Sequence, residues 1–156
     1  MSCDETVILN RFYMIKVVRK VLVTVAILMA CSVEATVGTK VNESSFDWTP
    51  VINAIIQVES GGNPRAVSGP NVGAMQITPI CVRECNNILQ KRKSKKRYTM
   101  NDRFSVEKSK EMFILIQSYF NRANDVEHAI RSWNGGQHYS RKATQRYFEK
   151  VMRHMK

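Results

Sequence analysis

Glu59 is a single acidic residue at the end of an apolar run, directly before a glycine-rich loop. The segment 60–79 that follows it carries no charged residue except Arg65. A carboxyl group in such surroundings is partly desolvated, which disfavours its charged form and raises its pKa. It could hold a proton near neutral pH and deliver it to a substrate, which is general acid catalysis. The alternative is a glutamate that ends an amphipathic helix and points into water.

The residues before Glu59 have the spacing of a helix. The apolar positions form one wide face: Val51, Ile52, Ile55, Ile56 and Val58. Thr49-Pro50 predicts the start of this helix, with Thr49 as N-cap and proline in the first helical position. Two glycines and a proline in the segment 60–64 predict its end, because these residues interrupt helices. Glu59 is therefore expected in the last helical turn.

Four further helices are predicted after a long loop, over about 79–90, 106–120, 125–133 and 141–155. Each begins at residues typical of an N-cap: Thr78, Ser105, Asn124-Asp125 and Ser140. The side chains expected to face inward on the last helices are Met112, Phe113, Ile116, Phe120, Tyr147, Val151 and Met155. At most a short hairpin is expected within 65–77. Residues 48–156 are thus predicted to form an all-α domain of about five helices, long enough to bury a modest core.

Three blocks of this sequence together resemble a known family. They are ESGGNPRAVS at 59–68, GAMQITP at 73–79 and SWNGG at 132–136. In this order and at these distances they resemble the lytic transglycosylase domain related to goose-type lysozyme, from about Trp48 to Met152. The resemblance implies a lysozyme-like all-α fold, peptidoglycan glycan strands as substrate, and neither a metal nor a cofactor.

The resemblance also implies roles for individual positions. Glu59 matches the single catalytic glutamate of the family. The other matched positions bind substrate or support the site: Ser60, Ser68, Gly73, Met75, Gln76, Trp133, Asn134, Gly135 and Tyr147. Ser60 is expected to fix the loop, Ser68 and Gln76 to line the groove, and Tyr147 to face it from the last helix. Gly73 is expected to allow close approach of a sugar chain, and Asn134 with Gly135 to close the site from the other side.

Two positions depart from the family pattern. Trp133 stands where tyrosine is usual, and an indole N–H donates a hydrogen bond but cannot accept one. The sequence therefore does not identify a hydroxyl for the steps that need one near the catalytic carboxyl. Ala74 replaces a leucine, which trims packing without removing a polar group. Both changes are interpreted as drift within a working enzyme, the alternative being an inactive binder.

The number of acids near the site bears on the mechanism. Most glycosidases use two carboxylates, but the only other acid between Gly61 and Met100 is Glu84, which the helix pattern predicts on a polar face. A site with one carboxylate must find its nucleophile elsewhere. The N-acetyl group of the substrate could stabilise the cationic sugar carbon, while Glu59 acts first as acid and then as base. Closure of the muramic C6 hydroxyl onto C1 would leave a 1,6-anhydro end.

The first 35 residues are predicted to be a secretory signal, with Met14 as an alternative start. A cationic stretch precedes an apolar run of about ten residues and a cleavage site of the A-x-A type at Val33-Glu34-Ala35. An uncleaved anchor and lipidation of Cys31 are the alternatives, and residues 36–47 are predicted to be a flexible arm. Under all three interpretations the chain is exported to the periplasm or the cell envelope, where it is either tethered to the membrane or free.

The chain is strongly basic, with 24 Lys and Arg, 13 Asp and Glu, and a net charge of +11. For an exported protein this charge favours anionic wall polymers and lipid headgroups rather than nucleic acid. The densest cluster, Lys91 to Arg97, is interpreted as a solvated surface, with a polyanion contact as the alternative. A monomer is expected, with recruitment by an envelope-spanning secretion or conjugation machine as a further possibility.

Cysteines and histidines give weaker signals. Cys81 and Cys85 are four residues apart on a predicted helix, where Cβ atoms are too distant for easy bridging, so free thiols are favoured over a disulfide. His138, beside the loop at 135–136, is interpreted as a surface residue, with a substrate contact as the alternative. The predicted function is a lytic murein transglycosylase. The alternatives are a hydrolytic muramidase on the same fold and an inactive basic wall-binding protein.

Overall fold

The computed structural model describes residues 46–155, so the predicted leader and most of the predicted arm lie outside the described residues. Five α-helices are present within this range: α1 (Thr49–Ser60), α2 (Pro79–Lys91), α3 (Val106–Phe120), α4 (Val126–Gly135) and α5 (Arg141–His154). A 3-10 helix, Met100–Phe104, precedes α3. The prediction of a mostly helical, lysozyme-like fold with about five helices is confirmed. None of the helices in the described part is long and apolar enough to cross a bilayer.

Polar side chains start four of the helices where the sequence predicted them. Thr78 accepts a hydrogen bond from the Cys81 amide at 3.0 Å, and Ser105, Asp125 and Ser140 cap α3, α4 and α5 in the same way. Each cap satisfies an amide that has no partner within its helix. The helix starts therefore follow from local chemistry.

The start of α1 differs from the prediction. Its N-cap is Trp48, and Thr49 is already helical. The reason is Asp47, whose Oδ1 accepts a hydrogen bond from the Thr49 amide at 2.9 Å and so supplies the capping acceptor from outside the helix. The end of α4 also differs, because the helix continues past Trp133 to Gly135. Asn134 and Gly135 therefore belong to the last helical turn rather than to the following loop.

The loop between α1 and α2 contains the short hairpin that the sequence allowed. Strand β1 (Val67–Ser68) pairs antiparallel with β2 (Asn71–Val72), with Val67 opposite Val72 and Ser68 opposite Asn71. Val72 also bridges to Ile77, which folds the loop back on itself. The glycine-rich segment is thus a compact β-turn structure rather than an irregular loop.

The core lies where α1 packs against α5 and α3 against α2, with α4 beside α5. Its largest fully buried side chains include Ile55, Met75, Ile88, Met112, Phe113, Ile130 and Val151. An aromatic row joins Trp48 to Phe113 at 5.6 Å and Phe113 to Trp133 at 5.2 Å between ring centroids. The prediction that Phe120 faces inward is wrong, because it is 38% exposed at the end of α3.

Candidate active site

Glu59 lies in the last turn of α1 and is half-buried. Packing of α1 against α5 brings Tyr147 to it, and the Tyr147 hydroxyl donates a hydrogen bond to Glu59 Oε1 at 2.7 Å. Burial raises the pKa of Glu59, and the hydrogen bond from Tyr147 partly offsets this rise. Burial and the nearby carboxylate also raise the pKa of Tyr147. The phenol therefore keeps its proton and serves as a donor to Glu59.

The loop after Glu59 is tied back to the end of α1. The Ser60 hydroxyl donates a hydrogen bond to the Ala74 carbonyl at 2.8 Å. Gly61 ends the helix in the left-handed conformation, at φ 61°, which glycine adopts without steric cost. These contacts fix the direction in which the chain leaves the helix immediately after Glu59.

Gly73 is required by the protein rather than by a ligand. Its φ is +78°, and a Cβ at this position would stand 1.9 Å from the backbone oxygen of Arg103. This glycine was expected from the sequence to allow the close approach of a sugar chain. The structure gives a different reason for a glycine here, because the 3-10 helix occupies the space that a Cβ would need. Sequence alone could not reveal this neighbour, which is 30 residues away.

Glu59 faces a cavity of about 630 Å³. One side is formed by the end of α1, the loop before α2 and the end of α4; the other is formed by α2 and α3. The wall includes Glu59, Gln76, Ile77, Ile80, Cys81, Glu84, Ile116, Gln117, Phe120, Trp133, Asn134 and His138. Four of the residues that the sequence singled out, Glu59, Gln76, Trp133 and Asn134, therefore share one cavity.

The other predicted site residues lie outside this wall. Ser68 is exposed on β1 and is not a wall residue, although Asn71, its partner on β2, lines the cavity. Met75 is fully buried in the core and is not a wall residue, so its side chain supports the loop. Ser60 acts through the Ala74 carbonyl, and Tyr147 acts through Glu59.

Gly135 has a packing role. A Cβ there would meet Thr144 Cγ2 and Tyr139 Cβ, each at 2.8 Å. Its small size lets the end of α4 approach the start of α5, the helix that carries Tyr147.

Gln76 adopts φ 50°, and its side-chain amide donates to the Gly73 carbonyl at 3.0 Å.

Trp133 contributes both to the core and to the cavity wall. Its ring packs on Phe113 in the core, and the same residue lines the cavity. The hydroxyl that a tyrosine would bring to this position is absent, but Tyr147 supplies one at 2.7 Å from Glu59. The substitution therefore leaves the carboxyl with a phenolic partner.

The polar residues of the cavity wall that were not predicted as site residues include Glu84, His138 and Gln117. Glu84 was predicted on a polar face of its helix; it is half-buried, and that face lines the cavity. Its spacing of three from Cys81 places both on one helical face, which is the signal that could have located it. His138 is exposed, as its interpretation as a surface residue predicted, and it also lines the cavity. Gln117 sits in an apolar run of α3, where nothing in the pattern marks it as special.

Arg131 is a further residue that sequence reasoning missed. It is 4% exposed and joins α4 to α5. Its guanidinium donates to Glu127 Oε1 at 2.8 Å, the Arg141 carbonyl at 3.0 Å, Thr144 Oγ1 at 3.1 Å and Gln145 Oε1 at 2.8 Å. It also lies over the Phe148 ring at 4.3 Å. Arg131 thus holds the helix of Tyr147 against the helix of Asn134.

Residues 40–155 match the family model described as the Transglycosylase SLT domain, which covers well over half of the chain. The chain belongs to this family. Membership of the transglycosylase SLT family supports an activity of the lytic transglycosylase type on peptidoglycan, a cell-wall polymer. No curated protein matches the chain.

The cavity of this transglycosylase domain brings together a half-buried carboxyl group, amide side chains and an aromatic ring. Glu59 supplies a carboxyl with a raised pKa, while Gln76 and Asn134 supply amides that both donate and accept hydrogen bonds. Trp133 adds a flat apolar face. Such a set suits an uncharged polyhydroxylated chain whose reacting atom needs a proton.

Cys81, another wall residue, and Cys85, one turn further along α2, are both free thiols, as the sequence favoured.

Proposed function

We propose that this protein is a lytic murein transglycosylase that cleaves the β-1,4 bond between MurNAc and GlcNAc and leaves a 1,6-anhydro-MurNAc end. The observation that carries the proposal is the half-buried Glu59 at the cavity wall, with the Tyr147 hydroxyl 2.7 Å from its carboxyl oxygen. This environment favours a carboxyl group that alternates between its protonated and its ionised form during one turnover.

The first step is proton donation. Protonated Glu59 gives its proton to the glycosidic oxygen, the bond from this oxygen to C1 of the muramic unit breaks, and the second sugar leaves as an alcohol. The acetamido oxygen of the muramic unit stabilises the positive charge at C1. Burial supports this step, because it raises the pKa of Glu59 and so keeps the acid protonated at higher pH.

The second step is proton recovery. Ionised Glu59 accepts the proton of the muramic C6 hydroxyl while the C6 oxygen bonds to C1, which closes the anhydro ring and restores the protonated acid. The Tyr147 hydroxyl supports this step, because its hydrogen bond stabilises the carboxylate between the two proton transfers. No water is consumed. In this proposal Gln76 and Asn134 hold sugar hydroxyls and acetamido groups, and Trp133 lies against a sugar face.

The site of action follows from the substrate. Because murein lies outside the cytoplasm, the proposed protein acts in the periplasm or cell envelope after export through its N-terminal segment. It acts as a monomer on glycan strands, and an envelope-spanning secretion or conjugation machine is the proposed recruiting partner. Fractionation of cells that make the full chain tests this: protein found only in the cytoplasm would contradict it.

Hydrolysis by the same fold is the second candidate. The observation that favours it is Glu84, a second carboxylate in the cavity wall, since most glycosidases use two carboxylates. In that reaction water would replace the C6 hydroxyl as the nucleophile. The end group of the product distinguishes the two reactions.

Mass spectrometry of fragments released from purified murein is the deciding experiment. Anhydro ends are lighter than hydrolysed ends by about 18 mass units, one water, because the sugar itself is the nucleophile. We expect anhydro ends from the wild-type protein. Reducing ends at the wild-type rate would replace the proposal with the hydrolytic candidate, and the absence of any release would favour a wall-binding protein.

A further inference from the structure

The wall of the cavity that α2 and α3 form contains a buried donor without a partner. Gln117 is 1% exposed and lines the cavity. Its Oε1 accepts a hydrogen bond from Asn121 Nδ2 at 3.1 Å. Its Nε2, however, has no hydrogen-bond partner in the structure. Buried amide groups are nearly always hydrogen-bonded, so this donor calls for a partner.

The orientation of the Gln117 amide is fixed by its neighbour. Asn121 donates from Nδ2 to the Asp125 carbonyl at 2.8 Å and accepts at Oδ1 from the Asp125 amide at 2.9 Å. This pair of bonds sets which end of the Asn121 side chain is the donor. Gln117 must therefore present its oxygen to Asn121, and its N–H₂ group is left without a hydrogen-bond partner.

Glu84 is the second unassigned group of this wall. It is half-buried on α2, and among the described residues its side chain makes one hydrogen bond, a long one of 3.5 Å from Asn87. The ion pairs found among residues 46–155 do not include it, although the chain is rich in Lys and Arg. The surroundings are apolar: Ile80 is 66% and Phe120 38% exposed, and both line the same cavity.

We propose that Gln117, Glu84 and these apolar residues form a subsite for a peptide segment that carries a free amine. A peptide carbonyl accepts from Gln117 Nε2, the ammonium group pairs with Glu84, and the alkyl part lies on Ile80 and Phe120. A neutral sugar could use Gln117 through its acetamido carbonyl, but it offers no cation to Glu84. The inference rests on the proposed function, because the peptides attached to murein glycan supply this chemistry.

Two preparations of the same substrate test the subsite: intact murein, and murein whose peptide amines have been acetylated with acetic anhydride. Acetylation removes cations and makes the polymer more anionic. The net charge of +11 would by itself draw the protein to the acetylated form. A preference for the untreated form must therefore come from a local acid. We expect the wild-type protein to release fragments from untreated murein about tenfold faster, as for loss of one charge-assisted hydrogen bond.

The variants Glu84→Gln and Gln117→Met separate the two contacts. Glu84→Gln should bring the ratio of the two rates close to one. Glu149→Gln makes the same charge change at an exposed position of α5 and should keep the wild-type ratio. Gln117→Met removes the unpaired donor, so it should raise KM on peptide-bearing murein more than on peptide-free glycan strands. The variant also loses the acceptor for Asn121 Nδ2, so we expect a modest loss of thermal stability, and both variants are compared below their unfolding temperatures.

Several results would overturn the inference. A wild-type ratio of one would remove the amine contact, and equal slowing of both preparations by Glu84→Gln would point to action on the reacting bond. Wild-type kinetics for Gln117→Met would mean that water satisfies the buried donor. Absence of release from either preparation would refute the proposed function instead. In that case, sedimentation of the Glu59→Gln protein with the two preparations still tests the subsite, since equal binding or a preference for acetylated murein would refute it.

Discussion

Tyr147→Phe removes one hydroxyl and keeps the ring that packs against the core. The lost contact is a 2.7 Å hydrogen bond to Glu59, and hydrogen bonds to charged groups contribute about 1.5–3 kcal/mol to stability. We therefore expect the variant to lose about 2 kcal/mol of unfolding free energy where Glu59 is ionised. The loss should be smaller where Glu59 is protonated, because the acceptor is then neutral.

The same change moves the titration of Glu59 in a defined direction. In the wild-type protein, desolvation raises the pKa of Glu59 while the Tyr147 hydrogen bond lowers it. Without the hydroxyl, desolvation acts alone and the pKa rises further. The descending limb of the pH profile for kcat/KM, where the acid loses its proton, should therefore move to higher pH. The maximal rate should fall, because the ionised intermediate loses its donor.

The two assays are denaturant unfolding across pH and murein clearing across pH. By linkage, the stability of the variant relative to the wild type must fall as pH rises from the wild-type pKa of Glu59 to the higher pKa of the variant. Tyr119→Phe is the matched control, since its hydroxyl contacts only the exposed Lys91, at 3.3 Å, and should change stability by less than about 0.5 kcal/mol. A limb that moves to lower pH, or a stability loss that is independent of pH, would refute the reasoning.

Two stability predictions address the parts that position the site. Gly73→Ala should cost more than about 2 kcal/mol, because left-handed φ costs about 1–2 kcal/mol and the new Cβ would also meet the Arg103 backbone oxygen. Gly61→Ala, with similar φ but open space, should show only the φ cost; equal losses would contradict the packing argument. Arg131→Met should cost about 3–5 kcal/mol, because it breaks a buried network. Arg141→Met, whose side chain is 75% exposed and contacts the same carboxylate, should cost less than about 1 kcal/mol. Denaturant unfolding measures all four, and an Arg141→Met loss as large as that of Arg131→Met would contradict the second argument.

The local signals of the sequence were sufficient for most of the fold. Thr78, Ser105, Asp125 and Ser140 each accept a hydrogen bond from the backbone amide three residues ahead, so the information is contained in a short stretch of chain. The predicted start of α1 was wrong for a reason that is also local, because Asp47 supplies a competing acceptor two residues before the expected cap Thr49.

Long-range neighbours explain what the sequence did not reveal. Periodicity predicted Glu84 on a polar face and Phe120 in the core, but it did not predict that both line one cavity. That depends on how α2 packs against α3, which no local pattern encodes. The clash that keeps position 73 a glycine comes from the backbone at 103. Periodicity finds which face of a helix is apolar, but not what that face meets.

The central claim is that Glu59 both gives and takes the proton in murein cleavage. The most direct measurement compares anhydro ends released from purified murein by the wild-type protein and by Glu59→Gln, with Glu149→Gln as a control of equal charge change. We predict that Glu59→Gln lowers the yield by at least about 100-fold, the usual contribution of a general acid–base group, while Glu149→Gln keeps the wild-type yield. Anhydro ends formed by Glu59→Gln at the wild-type rate would contradict the claim.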